Sequence, residues 1–186
     1  MTDDVYTLPP DLPAPEDDGA ADHLLGVMLP QLTLESSQGP VSLRELAGER
    51  LVLYVYPRAG RLGRPAPTGW DDIPGARGCT PQSCAFRDHA AELGGLGARL
   101  AGLSAQPLDD QVEFAERNRI TYPVVADPAR RLGSALDLPT FEVDDMTLYK
   151  RITLVAEACA IAKVFYPVFP PDSNAAEVAS WLKARP

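Results

Sequence analysis

The strongest constraint on how this chain can fold is a buried strand followed, after a loop, by a helix that begins at a cysteine. Residues 51–57 form an apolar run of β-branched and aromatic side chains, which is typical of a buried strand that ends at a proline. Residues 85–93 carry mostly apolar side chains at spacings of three and four, which predicts one face of a helix that ends at Gly94 and Gly95. The sequence therefore predicts that Cys79 lies near the start of this helix.

The predicted position of Cys79 favours a reactive thiol. A thiol is nucleophilic only as the thiolate, and a helix N-terminus offers unpaired N–H groups and about half a positive charge that stabilise an anion. Thr80 and Pro81 support a helix start here, since threonine can cap a helix and proline is tolerated in its first turn. The alternative is an ordinary buried thiol, because free cysteine also packs as a small hydrophobe.

A second cysteine, Cys84, follows five residues after Cys79. On one intact helix this spacing places the two Cα atoms roughly 8.6 Å apart, whereas a disulfide requires less than about 7 Å. Bond formation would therefore require the first turn to unwind. The spacing predicts a site that alternates between a folded reduced form and a locally unwound oxidised form.

The sequence GCTPQSCAFRD, at residues 78–88, resembles the active-site segment of the peroxiredoxins, specifically the Q group, also called bacterioferritin-comigratory proteins. Further segments resemble the family in the same order over residues 25–182, which makes the resemblance more specific than a single motif. These segments are LVLYVYP (51–57), GLSAQ (102–106), TYPVVADP (121–128) and KRITLVAE (150–157).

The resemblance implies a thiol peroxidase that reduces hydrogen peroxide or organic hydroperoxides. Cys79 would be the peroxidatic cysteine and Cys84 the resolving cysteine, and their disulfide would be reduced by a thioredoxin-like protein. Arg151 matches the family arginine that holds the thiolate and the peroxide. No metal or organic cofactor is expected.

The chain departs from the family pattern Pro-x-x-x-Thr-x-x-Cys. Pro57 is separated from Cys79 by a longer loop, residues 58–78, which we interpret as an insertion. Ala76 occupies the position of the family hydroxyl. Thr68, within the insertion, is the candidate to fold back and supply that hydroxyl beside Pro57 in a substrate-binding site.

The order of predicted elements is typical of an α/β, thioredoxin-type fold, with a central mixed sheet flanked by helices and an N-terminal β-hairpin extension. Residues 32–43 predict that hairpin, and residues 99–104 and 122–126 predict further strands. Two strands at 147–155 and 161–166 are expected to form a second hairpin, before a closing helix at 174–184. Short helices are expected at 43–47, 109–118 and 129–136.

Length and charge bound the remaining possibilities. At 186 residues the chain is expected to form a single domain over residues 23–186. Seventeen basic and 26 acidic residues give a net charge of −9, which argues against a nucleic-acid partner. A monomer or weak homodimer is expected.

Residues 1–22 are acidic and rich in proline, which predicts a flexible leader. They lack a basic region followed by an apolar core, so no secretory signal is expected, and no apolar run is long enough to span a membrane. We therefore expect a cytoplasmic location.

The other cysteine and the two histidines have no predicted catalytic role. Cys159 lies where the last two strands should join and is interpreted as a structural thiol. His23 and His89 have no carboxylate at a spacing that guarantees a hydrogen bond. A zinc site is not expected, since the chain lacks a C-x-x-C pair and grouped histidines.

Two alternatives to the peroxidase remain open from the sequence. A general thiol–disulfide exchanger of the same fold would carry C-x-x-C rather than the C-x4-C of this chain. A redox-sensing binding module would use the disulfide only as a switch. Continuous peroxide consumption with a recycling reductant separates the enzyme from the switch.

Overall fold

The computed structural model describes residues 5–185, and a seven-stranded mixed sheet lies at its centre. The strands are β1 (Thr33–Ser36), β2 (Val41–Ser42), β3 (Arg50–Val55), β4 (Arg99–Ser104), β5 (Val124–Ala126), β6 (Thr140–Val143), β7 (Met146–Tyr149), β8 (Ile152–Glu157) and β9 (Ala160–Phe165). The α-helices are α1 (Leu43–Leu46), α2 (Cys79–Gly95), α3 (Leu108–Arg117), α4 (Arg131–Leu136) and α5 (Asn174–Lys183). Short 3-10 helices lie at Asp22–Leu24, Trp70–Asp72 and Pro171–Ser173.

The sheet has the strand order β2-β1-β5-β4-β3-β8-β9. Strands β3, β4 and β5 are parallel neighbours, while β8 and β9 continue the sheet in antiparallel pairing beyond β3. The β1–β2 hairpin joins the opposite side through antiparallel pairing of β1 with β5. The predicted thioredoxin-type α/β fold with an N-terminal hairpin extension is confirmed.

Strand β3 is covered on both faces, which explains its continuous apolar sequence. Val52 and Tyr54 belong to the core shared with α2 and α5, and Leu51 and Leu53 belong to the core on the opposite face. All four side chains are essentially without solvent exposure. Because α2 packs on the centre of the sheet, its first residue, Cys79, is held close to the end of β3.

The strand predicted at residues 147–155 is two strands. β7 pairs with β6 in a separate two-stranded sheet, and β8 joins the central sheet. Lys150 and Arg151 lie between them, and the Lys150 N–H donates to the carbonyl of Pro139. The prediction of one strand was wrong because apolar alternation does not reveal which neighbouring strand each backbone group pairs with.

The insertion at residues 58–78 packs on this two-stranded sheet. Trp70 and Ala76 form a small core with Leu148, and the Trp70 ring lies 6.2 Å from that of Phe141. The insertion is therefore tied to the segment that leads into Arg151.

The predicted flexible leader makes specific contacts over residues 5–22. Leu8 packs against Gly78, and the Asp18 carboxylate accepts a hydrogen bond from Lys150. The prediction treated acidic and proline-rich composition as evidence against ordering, but a few apolar and charged side chains in this segment find partners on the folded domain. Residues 1–4 of the predicted leader lie outside the described residues.

Among residues 5–185, no helix combines the length and apolar character needed to cross a membrane.

Candidate active site

Cys79 is the first residue of α2 and is buried, with 3% of its surface exposed. Gly78, immediately before it, has a φ of 103°, in the left-handed region that favours glycine. A Cβ at Gly78 would also lie 2.3 Å from Cγ of Pro171 and 2.9 Å from Cδ2 of Leu8. Only glycine therefore fits where the chain turns into the helix.

The guanidinium of Arg151 lies against the Cys79 thiol. Nη2 is 3.2 Å from Sγ and also lies 3.0 Å from each of the carbonyl oxygens of Ala76 and Arg77. Nε donates to the carbonyl of Gly75 at 3.3 Å. These carbonyls of the insertion hold the guanidinium plane, so the loop that precedes Cys79 also fixes the cation that faces it.

Gln82 completes the hold on Arg151, and the sequence analysis missed it. Its Oε1 accepts a hydrogen bond from Nη1 of Arg151, and its Nε2 donates to Oδ1 of Asn174 at 3.1 Å. Thr153 donates to the same Asn174 oxygen at 2.7 Å. Gln82 is fully buried in the first turn of α2, and its position in GCTPQSC, between the cysteines, was the one available signal.

This arrangement favours negative charge on the Cys79 sulfur. Cys79 is the first residue of α2, so its sulfur lies at the positive end of the helix dipole, and Arg151 contributes a full positive charge. When protonated, Sγ donates instead to the carbonyl of Ala76, 3.6 Å away. Because Cys79 and Arg151 are both buried, water screens their attraction weakly.

Cys84 lies one and a half turns further along α2 and is half-buried. Its Sγ is 3.7 Å from Oδ1 of Asn118, and the carbonyl of Asn118 accepts from Arg87 at 2.8 Å. Burial raises the pKa of the Cys84 thiol, and the nearby Arg87 opposes this only in part. Both Cys79 and Cys84 are free thiols on one continuous helix.

A small cavity opens at Cys79. Its walls combine the N-terminal segment, the insertion and the start of α2, and its lining consists of Val5, Arg58, Gly60, Ala66, Trp70, Arg77, Gly78, Cys79 and Thr80. Arg77 is fixed by two hydrogen bonds to the Asp71 carboxylate, at 2.8 and 2.9 Å. The insertion thus forms much of the mouth of the site.

The structure does not bring Thr68 to Cys79. Thr68 is exposed, and its backbone N–H donates to the Asp144 carboxylate at 2.7 Å. Pro57 is buried directly after β3 and does not line the cavity. Thr80 is the hydroxyl-bearing residue of the cavity wall, which sequence reasoning treated only as a helix-start residue.

Tyr54 and Tyr56 belong to the apolar core on which α2 packs. The Tyr54 ring stacks on Phe86 with centroids 4.4 Å apart, and its hydroxyl lies 2.9 Å from that of Tyr122. The Tyr122 hydroxyl in turn donates to the carbonyl of Ser83 at 3.1 Å. Burial raises the pKa of each of these three tyrosines, so they act as neutral packing and hydrogen-bonding groups.

The other sulfur and imidazole groups lie elsewhere. Cys159 Sγ is 3.3 Å from the carbonyl of Arg44, and His23 bonds to the carbonyl of Leu136. His89 bonds to the carbonyl of Ala85 on α2. Over residues 5–185, no group of three or more His, Cys, Asp or Glu side chains has an arrangement that could hold a metal ion.

Known proteins resemble this chain in sequence and in fold. The model of the Redoxin family matches residues 24–179. The chain is 29% identical over 163 residues to chloroplastic peroxiredoxin Q of Gentiana triflora, a match that covers 86% of this chain and 66% of the relative. It is 27% identical over 159 residues to the peroxiredoxin Q of Sedum lineare, with 83% and 75% of the two chains covered.

Among solved structures, peroxidoxin BcpB from Mycobacterium tuberculosis superposes with a TM-score of 0.70 at 25% identity. That match covers 87% of this chain and 97% of BcpB. Peroxiredoxin Q of Xanthomonas campestris gives a TM-score of 0.65 at 22% identity, with 94% and 98% covered, and supports the fold.

Proposed function

Since the chain belongs to the Redoxin family and is a Q-group peroxiredoxin, a peroxidase that works through a thiol, we propose that Cys79 is its peroxidatic nucleophile. The observation that carries this proposal is the distance of 3.2 Å between Nη2 of Arg151 and the Cys79 sulfur at the start of α2. Helix N–H groups and a permanent cation both stabilise a thiolate. No other cysteine described here has both.

The first step transfers two electrons from sulfur to the peroxide. The Cys79 thiolate attacks one peroxide oxygen, an S–O bond forms and the O–O bond breaks. The leaving oxygen takes up a proton and departs as water from hydrogen peroxide, or as an alcohol from an organic hydroperoxide. Negative charge moves from sulfur to oxygen in this step, and the planar guanidinium of Arg151 can donate to both atoms.

Thr80 is the residue to which we assign the hydroxyl that the family places beside the peroxide. It is buried and lines the Cys79 cavity, whereas Ala76 lacks a hydroxyl and Thr68 lies outside the cavity wall. Pro57 is buried outside the cavity lining, so we assign it a packing role at the end of β3 rather than a contact with the peroxide.

The second step forms an intramolecular disulfide. The Cys84 sulfur attacks the Cys79 sulfenic acid, an S–S bond forms, and the S–O bond breaks with loss of water. The helical spacing exceeds disulfide reach, so the first turn of α2 must unwind between the steps. An external dithiol, a thioredoxin-like protein, then reduces the disulfide by thiol exchange and becomes oxidised.

The test compares Cys79→Ser with Cys159→Ser as the control variant. Hydrogen peroxide and an organic hydroperoxide are each mixed with the reduced protein in a stopped-flow instrument, and reduced thioredoxin is then added. Cys79→Ser should lose activity by at least about a thousandfold, since serine does not ionise at neutral pH or form a sulfenic acid. Cys159→Ser should keep it.

The same experiment separates the enzyme from its alternatives. Retained activity in Cys79→Ser would refute the assignment of the nucleophile. A single equivalent of peroxide consumed, without further turnover when thioredoxin is present, would favour a redox switch or a different reductant. The cytoplasmic location and the monomer or weak homodimer stay predictions from the sequence.

A further inference from the structure

The N-terminal strap, which we define as residues 5–18, is a part of this chain that the family match does not include. The Redoxin model begins at residue 24. Within the strap, Val5, Leu8 and Pro15 are partly buried although the segment carries no helix or strand. Burial of apolar side chains in an irregular terminal segment requires a partner surface, and here that surface is the active site.

The first contact of the strap is with the Cys79 cavity itself. Val5 forms part of its wall together with the insertion residues Ala66 and Trp70. The cavity has a volume of about 60 Å³ and is open to solvent. Because about 10–15 Å³ of such volume suffices for one water molecule, hydrogen peroxide or a small alkyl hydroperoxide fits within these walls, whereas an aromatic or long-chain one extends past them and meets the strap.

The second contact covers the backbone of the loop just before Cys79. A Cβ at Gly78 would lie 2.9 Å from Cδ2 of Leu8, so the leucine methyl sits directly on the residue before Cys79. A Cβ at Gly75 would lie 3.4 Å from Cγ of Pro15. The carbonyl of Gly75 is the acceptor for Nε of Arg151, so the strap rests on the loop that positions the arginine.

The third contact is a polar latch at the end of the strap, formed by Asp18, Lys150 and Tyr166. The Asp18 carboxylate accepts hydrogen bonds from Nζ of Lys150 and, at 2.7 Å, from the hydroxyl of Tyr166. These two bonds hold the pKa of Asp18 well below its usual range, so the carboxylate is charged at neutral pH. Asp18 and Lys150 are 43% and 36% exposed, and a solvated ion pair of this kind is weak enough to open.

From these contacts we propose that the N-terminal strap is a size filter for the peroxide, with Val5 and Leu8 as specificity-determining residues and Asp18 as the latch. The inference rests on the proposed function of Cys79. Hydrogen peroxide and small hydroperoxides reach the thiolate while the latch is closed. A bulky hydroperoxide must displace Val5, and Leu8 anchors the same strap on Gly78, so such a peroxide reacts in the fraction of molecules whose latch is open.

The experiment measures the second-order rate constants for Cys79 oxidation by hydrogen peroxide and by cumene hydroperoxide in the full-length protein. The variants are Val5→Ala/Leu8→Ala, which removes a wall side chain and the strap's contact with Gly78, and Asp18→Asn, which weakens the latch. Asp11→Asn is the matched control, because Asp11 is exposed in the same strap and makes the same change in charge. Circular dichroism verifies that each variant is folded.

Both test variants should raise the ratio of the cumene to the hydrogen peroxide rate constant by about tenfold, the scale on which a pocket discriminates by a few methyl groups. Asp11→Asn should match the wild type in both rate constants. The filter is overturned if the double variant leaves the ratio unchanged, or if the wild-type protein already reacts with both peroxides equally fast.

Failure of the filter and failure of the peroxidase are distinguishable. If the wild-type protein reacts rapidly with hydrogen peroxide while the ratio does not respond to the variants, Cys79 keeps its role and the strap loses its own. If Cys79 reacts with neither peroxide in any variant, the proposed function itself fails. If the double variant changes the ratio and Asp18→Asn does not, the wall is supported and the latch is refuted.

Discussion

Gln82 accepts a hydrogen bond from Arg151, and so a side chain that lies between the two cysteines holds the guanidinium against Cys79. Gln82 belongs to the first turn of α2, which would have to unwind for Cys79 to reach Cys84 in the proposed mechanism. The same turn therefore carries the proposed nucleophile and part of the support for the arginine beside it. Unwinding after oxidation would withdraw that support when it is no longer needed.

Replacement of Arg151 by lysine should slow the peroxide step by about tenfold or more. Lysine carries the charge but cannot donate to Cys79, to the Gly75 and Ala76 carbonyls and to Gln82 in one plane. A hydrogen-bond donor aimed at the charge that develops in the transition state lowers the activation free energy by about 2.7–4 kcal/mol. The ammonium group of the lysine should retain part of this stabilisation. Arg99→Lys, at the exposed start of β4, is the control, and unchanged peroxide kinetics in Arg151→Lys would contradict the role.

Replacement of Gln82 by methionine should slow the same step by about 10- to 100-fold, since a hydrogen bond to a charged group contributes about 1.5–3 kcal/mol. Methionine has a similar volume, and its thioether sulfur is only a weak acceptor for Nη1 of Arg151. Stopped-flow oxidation by hydrogen peroxide measures the effect, and Gln38→Met is the control, because Gln38 lies on the surface and bonds to Thr121. If Gln82→Met kept the wild-type rate, the carbonyls alone would suffice to place the arginine.

Replacement of Cys84 by serine should leave the first oxidation intact and block the second step. The variant should consume one equivalent of peroxide and accumulate Cys79 sulfenic acid, which dimedone labelling and mass spectrometry detect. Excess peroxide should then drive Cys79 to the sulfinic acid. Oxidised wild-type protein should contain a link between Cys79 and Cys84, and a link through Cys159 instead would reassign the resolving cysteine.

The rate of the disulfide step should keep rising with pH to beyond about pH 8.5, which is the pKa of an ordinary cysteine thiol. Burial raises the pKa of Cys84, so its thiol keeps the proton to higher pH than an exposed cysteine, and the attacking thiolate is scarce at neutral pH. Fluorescence after a pulse of one equivalent of peroxide follows this step. A plateau reached below about pH 8 would mean that Cys84 attacks only after leaving its buried site.

Oxidation should loosen the start of α2 and leave the central sheet unchanged. Amides from Cys79 to Phe86 should exchange hydrogen faster in the disulfide form, because the helical spacing of the cysteines must be broken to join them. Amides of β3 and β4 should show equal protection in both forms. Equal protection across the first turns of α2 would show that the cysteines meet without unwinding.

Local sequence patterns were sufficient to predict the strand and the helix that carry Cys79. The apolar run of β3 and the helical pattern after Cys79 are local, so propensity and periodicity locate them. The motif around Cys79 and the later KRITLVAE segment, by family resemblance, singled out the residues that the structure places 3.2 Å apart, Cys79 and Arg151.

Contacts between distant residues depend on the folded chain. Gln82 bonds to Arg151 and Asn174, and Asp18 bonds to Lys150, although these partners are far apart in the sequence. The folded chain likewise brings Thr80, rather than Thr68, to the cavity wall. Local propensity has no information about such contacts, because their free energy depends on surfaces that exist only once the sheet and α2 have packed together. The strap is the clearest case, since its composition gives no sign of the surface that Val5, Leu8 and Asp18 contact in the structure.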